Sequence, residues 1–299
     1  MSIAKTHVSN PTSASTFRIK DLVQLIKLRL TLLVVFSAGI GYLFGAIEPI
    51  VWSHLAMLLL SGFLITGSAN GINQILEKDL DKLMSRTADR PVATGRMQVR
   101  DATVVTATMG IAGVAILSLF MNNIAALLGL FSLLSYAFVY TPMKRTTAFA
   151  VLAGAFPGAM PTVIGYVAIT GNIDLACIAL FMIQFVWQFP HFWSIAWILD
   201  EDYKKAGFQL LPLAGLKDKR SGFVVFLSAL LLIPLSIFPI GFDIISMWSG
   251  LMILVCSLAF LYAAYKLYVD CDAAAAKRLM FGSIIYLPIV QILLVLGRL

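Results

Sequence analysis

The chain has 299 residues, 60% of them hydrophobic and 12% charged, and carries a net charge of +7. That apolar fraction excludes a water-soluble domain of this length and places the protein in a lipid bilayer. The positive charge is not a nucleic-acid footprint, because it lacks a continuous basic face with interleaved aromatic residues, so no nucleic-acid partner is expected.

A hydrocarbon core about 30 Å thick takes roughly 20 apolar residues per helical crossing. Read in chain order, apolar spans fall near residues 30–47, 51–74, 103–120, 124–140, 147–169, 174–198, 222–240, 244–265 and 279–297. The reading is therefore an all-α fold, a polytopic membrane protein of about nine transmembrane helices. It forms one membrane domain over 1–299, with a polar tail over 1–20 and no cleavable signal. Cys177, Cys256 and Cys271 are scattered and have no CxxC spacing, which argues against a disulfide framework or a zinc knuckle.

Lysine and arginine set the expected orientation. They occupy the tail (Lys5, Arg18, Lys20, Lys27, Arg29) and the second, fourth, sixth and eighth loops, from Lys78 through Arg278. The odd loops, around Glu48, Asn122, Asn172 and Asp243, have none, and only Arg298 breaks the pattern. The positive-inside rule then predicts a multi-pass protein of the inner (plasma) membrane, its N-terminus cytoplasmic and its C-terminus on the opposite side. The second and sixth loops are longer than joining helices requires, so chemistry is expected on the cytoplasmic face.

Leaving the second span, the chain reads Asn73-Gln-Ile-Leu-Glu77-Lys-Asp79-Leu-Asp81 and runs on to Arg86, Arg90 and Pro91. On a continuous helix, Asn73, Glu77 and Asp81 recur every four residues and line one face. Oxygen ligands with room for water and phosphate are what Mg²⁺ uses, and the arginines suit bidentate grip of a diphosphate. A solvated helix end gives a similar charge run.

At the end of the fourth span, Tyr140-Thr141-Pro142-Met143-Lys144-Arg145 puts a phenol beside two cations. This suits an anionic substrate and a developing carbocation, or equally an interfacial anchor with an orientation signal. The fifth span carries Gly154, Pro157, Gly158, Pro161 and Gly165, which allow close helix approach or a break. In the sixth, Pro190-His191-Phe192-Trp193 precedes Asp200-Glu201-Asp202-Tyr203, a second carboxylate trio on the same side of the membrane. Facing the first group, it would let two cations bridge one diphosphate. His191 lies deeper among aromatics, where an imidazole serves as a ligand to haem iron, as a base, or as a helix-packing hydrogen bond.

Together these runs resemble the UbiA-type intramembrane prenyltransferases, and within them the branch that farnesylates protohaem IX. The resemblance spans nearly the whole chain. It is most specific in Asn73-x3-Glu77-x3-Asp81-x2-Met84-x-Arg86-Thr87-x2-Arg90-Pro91, in Tyr140-Thr141-x2-Lys144-Arg145, and in Pro190-His191-Phe192-Trp193 with Asp202-Tyr203-x2-Ala206-Gly207-x3-Leu211-Pro212. Departures are Glu77 where aspartate is commoner, Leu28 in place of a proline, and no asparagine over 147–152.

The resemblance implies transfer of a farnesyl group from farnesyl diphosphate to a vinyl group of haem b, giving haem O. It implies Mg²⁺ on Asn73, Glu77, Asp81 and Asp202, diphosphate contacts from Arg86, Arg90, Lys144, Arg145 and Tyr203, and catalytic roles for Asp81, Asp202, His191 and Tyr140. Partners are then the lipid bilayer and the two substrates, with room for contact with haem-handling proteins. Prenylation of an aromatic acceptor such as 4-hydroxybenzoate is the sister reading. A cation-coupled transporter is the reading from another class, although its acids belong near the midplane rather than at one face.

Overall fold

The computed structural model describes residues 18–46 and 49–299. A short helix α1 (Ile19–Leu25) precedes the first long helix, α2 (Leu28–Gly45). Next come α3 (Trp52–Leu76), the single turn α4 (Lys78–Asp81), α5 (Val99–Phe120) and α6 (Asn123–Leu134). A π-helical stretch, Ser135–Tyr140, continues α6 into the short α7 (Thr141–Met143). Then follow α8 (Ala150–Thr170), α9 (Leu175–Lys205), α10 (Pro212–Gly215), α11 (Lys219–Leu230), α12 (Leu232–Gly241), α13 (Met247–Asp270) and α14 (Ala273–Leu296).

Grouped into continuous rods, nine helices among the described residues are long and apolar enough to cross a bilayer. Their order matches the predicted spans, and their ends differ where charged side chains find partners. The sixth rod runs on to Lys205, carrying the acidic trio on helix rather than loop. The ninth begins at Ala273, so the predicted eighth loop shrinks to Cys271 and Asp272, and Lys277 and Arg278 sit on α14. The loop around Glu48, predicted to face outward, falls partly outside the described residues.

Local chemistry explains the irregularities. The seventh rod bends at Leu231 because Pro234 has no N–H for the Leu230 carbonyl. Acidic and amide residues of the short loops are N-caps: Asn122, Asp174, Asp218 and Asp272 accept from the backbone N–H groups of Ala125, Cys177, Ser221 and Ala275. In α8 the prolines do not break the helix. Pro161 frees the Pro157 carbonyl, which accepts instead from the Ser132 hydroxyl at 3.2 Å. Gln184 and Gln188 of α9 donate to the carbonyls of Gly158 and Ala155 at 2.9 Å each. Close approach is the second use of this sequence: a Cβ at Gly165 would run into the Ala38 carbonyl and the Tyr42 N–H of α2.

The C-terminal end of α14 returns to the C-terminal end of α2, where the Arg298 guanidinium bonds the Ala46 carbonyl. Leu28, at the opposite end of α2, lies beside the acidic motif, so the site and the C-terminus occupy opposite faces of the bundle.

Candidate active site

The acidic motif is built on the end of α3. The predicted unbroken helix through Asp81 is interrupted at Glu77, whose φ of −100° and ψ of 8° end α3 before α4 restarts. The four-residue spacing of backbone bonds survives, Glu77 N to Asn73 O at 3.0 Å and Asp81 N to Glu77 O at 2.8 Å, so the three side chains stay together. All three are buried, Asp81 completely. Buried carboxylates need partners, and each has one. Arg90 Nη1 reaches both oxygens of Asp81, at 2.7 and 2.8 Å. Lys144 Nζ lies 2.6 Å from Glu77 Oε1, while Asn73 Nδ2 donates to Glu77 Oε2 at 2.9 Å. A carboxylate oxygen has two lone-pair directions, so Glu77 Oε1 keeps one free beside its ion pair with Lys144.

A cation absent from the predicted set completes the site. Lys27, in the left-handed region at φ 50° between α1 and α2, donates from Nζ to Asn73 Oδ1 at 3.1 Å. Burial pushes the Lys27 ammonium well below the ordinary lysine range, helped by the charges of Arg90 and Lys144. Burial likewise lowers Lys144, against the pull of Glu77. Burial raises the Asp81 carboxyl, only partly countered by Arg90. Three basic side chains thus converge on two carboxylates in a confined space, an arrangement suited to an anion that would hold the lysines protonated. In the sequence Lys27 reads only as part of the basic tail; its one signal is a cation placed directly at the mouth of the first span.

Tyr140 ends the π-helical stretch, a distortion common at functional sites, and its ring lies 5.0 Å from Lys144 Nζ. Thr141, quoted only as part of a motif, accepts from Asn73 Nδ2 at 3.2 Å. Arg145 is not brought in; it is exposed and makes no ion pair among the described residues, because one residue beyond Lys144 it faces away from the bundle.

The second acidic trio splits, since consecutive helical residues point about 100° apart. Asp200 pairs with Lys204 at 2.8 Å and lies 3.8 Å from Lys217, and Glu201 is exposed. Asp202 alone faces the first motif. It accepts from Ser85 N at 3.0 Å, Ser85 Oγ at 2.9 Å and Arg86 N at 3.4 Å, and pairs with Lys205 at 3.2 Å. Arg86 in turn donates to the Tyr203 hydroxyl at 3.3 Å. Asp202 thus fastens the loop that starts at Asp81. No three His, Cys, Asp or Glu side chains among the described residues already converge as a metal cluster. The donor set still fits Mg²⁺: Asn73 and Glu77 offer hard oxygens, Glu77 Oε1 has unused acceptor capacity, and substrate phosphates usually supply the remaining ligands.

Below this mouth lies a mainly apolar cavity of about 280 Å³, lined by residues such as Leu58, Ile65, Leu117 and Leu133 and reached by Tyr136, Tyr140, Gln188 and His191. His191 stacks on Trp187 with centroids 4.6 Å apart, and its Nδ1 lies 2.6 Å from Ser283 Oγ. Tyr140 lines this cavity and its ring lies 5.0 Å from Lys144 Nζ, so the apolar space adjoins the charged cluster, which suits a substrate with an anionic head and a hydrocarbon tail.

Known proteins match the chain in sequence and in fold. The UbiA prenyltransferase family matches residues 33–285. A protoheme IX farnesyltransferase of Cytophaga hutchinsonii is 45% identical over 92% of this chain and 96% of its own. Another, from Christiangramia forsetii, is 39% identical over 99% of this chain and 98% of its own. Among solved structures, one described for digeranylgeranylglyceryl phosphate synthase in membranes has a TM-score of 0.77 at 21% identity, covering 93% of this chain and 98% of that one. A UbiA homologue from Archaeoglobus fulgidus bound to GPP and Mg²⁺ has a TM-score of 0.68 at 16% identity, covering 92% and 99%. At such identities the structural likeness concerns the fold. The sequence match runs through both acidic helix ends and the cavity between them, and on that ground the chain belongs to the UbiA prenyltransferase family.

Proposed function

We propose that this protein transfers the farnesyl group of farnesyl diphosphate to a vinyl group of haem b, giving haem O, at the cytoplasmic face of the membrane. The observation that carries the reading is the mouth itself: Lys27, Arg90 and Lys144 gathered around Asn73, Glu77 and Asp81, above a cavity that holds His191. The names of its relatives give the acceptor, and His191 with its aromatic neighbours suits an iron porphyrin better than a small phenolic acid. The crowding of lysine and arginine on one face supports the cytoplasmic placement.

Arg90 and Lys144 are held on Asp81 and Glu77 and can exchange these carboxylates for phosphate oxygens, with Lys27 and Arg86 adding charge. Asn73, Glu77 and Asp81 would hold Mg²⁺, with Asp202 close by through the 82–86 loop; when bound, the ion neutralises charge that builds on the leaving diphosphate. The C–O bond of the prenyl diphosphate breaks with its electron pair leaving on oxygen. The rings of Tyr136 and Tyr140 present their negative faces to an allylic cation at the top of the cavity. The vinyl electron pair then forms the new C–C bond, and a water hydroxyl closes the cation left beside the macrocycle while its proton departs. The apolar walls exclude water from the first step.

The test is to incubate purified protein with haem b, farnesyl diphosphate and Mg²⁺. A haem heavier by one farnesyl and one hydroxyl group is expected. Failure to modify haem, with prenylation of 4-hydroxybenzoate instead, would transfer the reading to the aromatic-acceptor branch.

A further inference from the structure

Behind His191, and outside the cavity, one serine holds two aromatic rings. Ser283 of α14 is fully buried. Its backbone carbonyl accepts from Trp187 Nε1 at 3.0 Å, and its hydroxyl lies 2.6 Å from His191 Nδ1. The same hydroxyl donates to the Met280 carbonyl at 2.5 Å. A hydroxyl has a single proton, and a carbonyl can only accept. With that proton committed to Met280, Ser283 Oγ has only lone pairs to offer His191, so His191 Nδ1 must be the donor.

The consequence falls on the other ring nitrogen. A neutral imidazole with its proton on Nδ1 has a lone pair on Nε2. Nε2 makes no hydrogen bond to the described residues, and His191 lines the cavity. The ring cannot easily turn away, because it is stacked on Trp187 at an interplanar angle of 16° and Trp187 is pinned by the same serine. This is the arrangement by which a partner behind a histidine fixes its tautomer and its aim.

We propose that Ser283 is a positioning residue that locks His191 in the Nδ1–H tautomer, so that Nε2 presents an axial ligand to the iron of a porphyrin in the cavity. The assignment of the ligand deepens the haem reading and depends on it; the tautomer does not.

Two measurements separate them. In full-length protein with ¹⁵N-labelled histidine, without haem, the His191 resonances are identified by their loss in His191→Ala. A single Nδ1–H tautomer is expected in the wild type and a mixture in Ser283→Ala, with Ser283→Thr restoring the wild-type pattern. An Nε2–H tautomer in the wild type overturns the proposal. Ferric haem is then titrated into each protein. Ser283→Ala and His191→Ala should lose the histidine-ligated absorption and electron paramagnetic resonance signature. In Ser283→Ala haem affinity should fall by at least about tenfold, as for removal of other partners behind metal-binding histidines. Binding of farnesyl diphosphate should be unchanged in Ser283→Ala, which shows that this variant is folded. If the wild type farnesylates haem yet shows no histidine ligation, or Ser283→Ala keeps wild-type signature and affinity, the proposal is overturned and the proposed function stands. If the wild type neither binds nor modifies haem, the function and the iron-ligand role fall together.

Discussion

Lys27 Nζ donates to Asn73 Oδ1 across the joint between α1 and α2, tying the entry of the first membrane helix to the exit of the second long one. The bond orients Asn73 so that its amide serves Glu77 and Thr141. Lys27→Met is expected to raise the KM for farnesyl diphosphate about tenfold, the scale of one charged hydrogen bond, with a smaller change in kcat. Lys27→Arg should recover much of the loss. Steady-state kinetics with varied diphosphate decides, and an unchanged KM would remove Lys27 from the site.

Asp81→Asn keeps the shape of the side chain and removes its charge. Turnover should fall by at least about a hundredfold, because the carboxylate proposed to bind the metal, which is also the resting partner of Arg90, loses its charge. Membrane insertion and helical content should persist. Product formation at the wild-type rate would show that the metal assignment is mistaken.

Asp202 holds the loop beyond Asp81 through two backbone N–H groups and one hydroxyl. Asp202→Ala leaves those exposed donors to water and frees the loop from α9. Trypsin should then cut after Lys82 or Arg86 sooner than in the wild type, and added substrate diphosphate should slow the cut. Equal cleavage rates would mean that the loop is held by other contacts.

Gly165 meets the backbone of α2 directly. Gly165→Val therefore overpacks the α2–α8 crossing and should destabilise the fold by about 1–3 kcal/mol or prevent assembly. The unfolding temperature in detergent is the measurement, and a wild-type value would contradict the crossing.

Acid sensitivity should arise partly from Asp21, which accepts from Arg96 Nε at 2.9 Å and ties α1 to the loop before α5. The Arg96 hydrogen bond holds the Asp21 carboxyl below its ordinary range, with burial opposing. A depressed folded value means the pair stabilises the fold above the unfolded pKa of about 3.9 and loses that contribution as pH falls through the folded one. Asp21→Asn should lower the unfolding temperature at neutral pH and flatten its decline in acid. An acid limb identical to the wild type would exclude the pair as its source.

The membrane spans were legible because bilayer thickness dictates their length and composition, and because no partner is needed to make an apolar run helical. Arg90, Lys144, Asp202 and Tyr203 were legible as types at motif positions. Their pairings were not, since spacing along a chain does not say that Asp202 would reach Ser85 or that Lys144 would reach Glu77. Lys27 was hidden by its company: among tail lysines it reads as a topology signal, and only the left-handed turn at the helix joint directs it to Asn73. The division of the Asp200-Glu201-Asp202 trio follows from helix extension to Lys205, which charge content alone argued against.

The glutamine bonds to α8 bear on how the protein is made. Pro157 and Pro161 weaken the internal ladder of that helix, and donors reach its carbonyls from both sides in the chain: Ser132 of α6 bonds Pro157, and Gln184 and Gln188 of α9 bond Gly158 and Ala155. Lipid offers no substitute donors. Helix α8 is therefore suited to leave the translocon already joined to its neighbours α6 and α9 rather than alone.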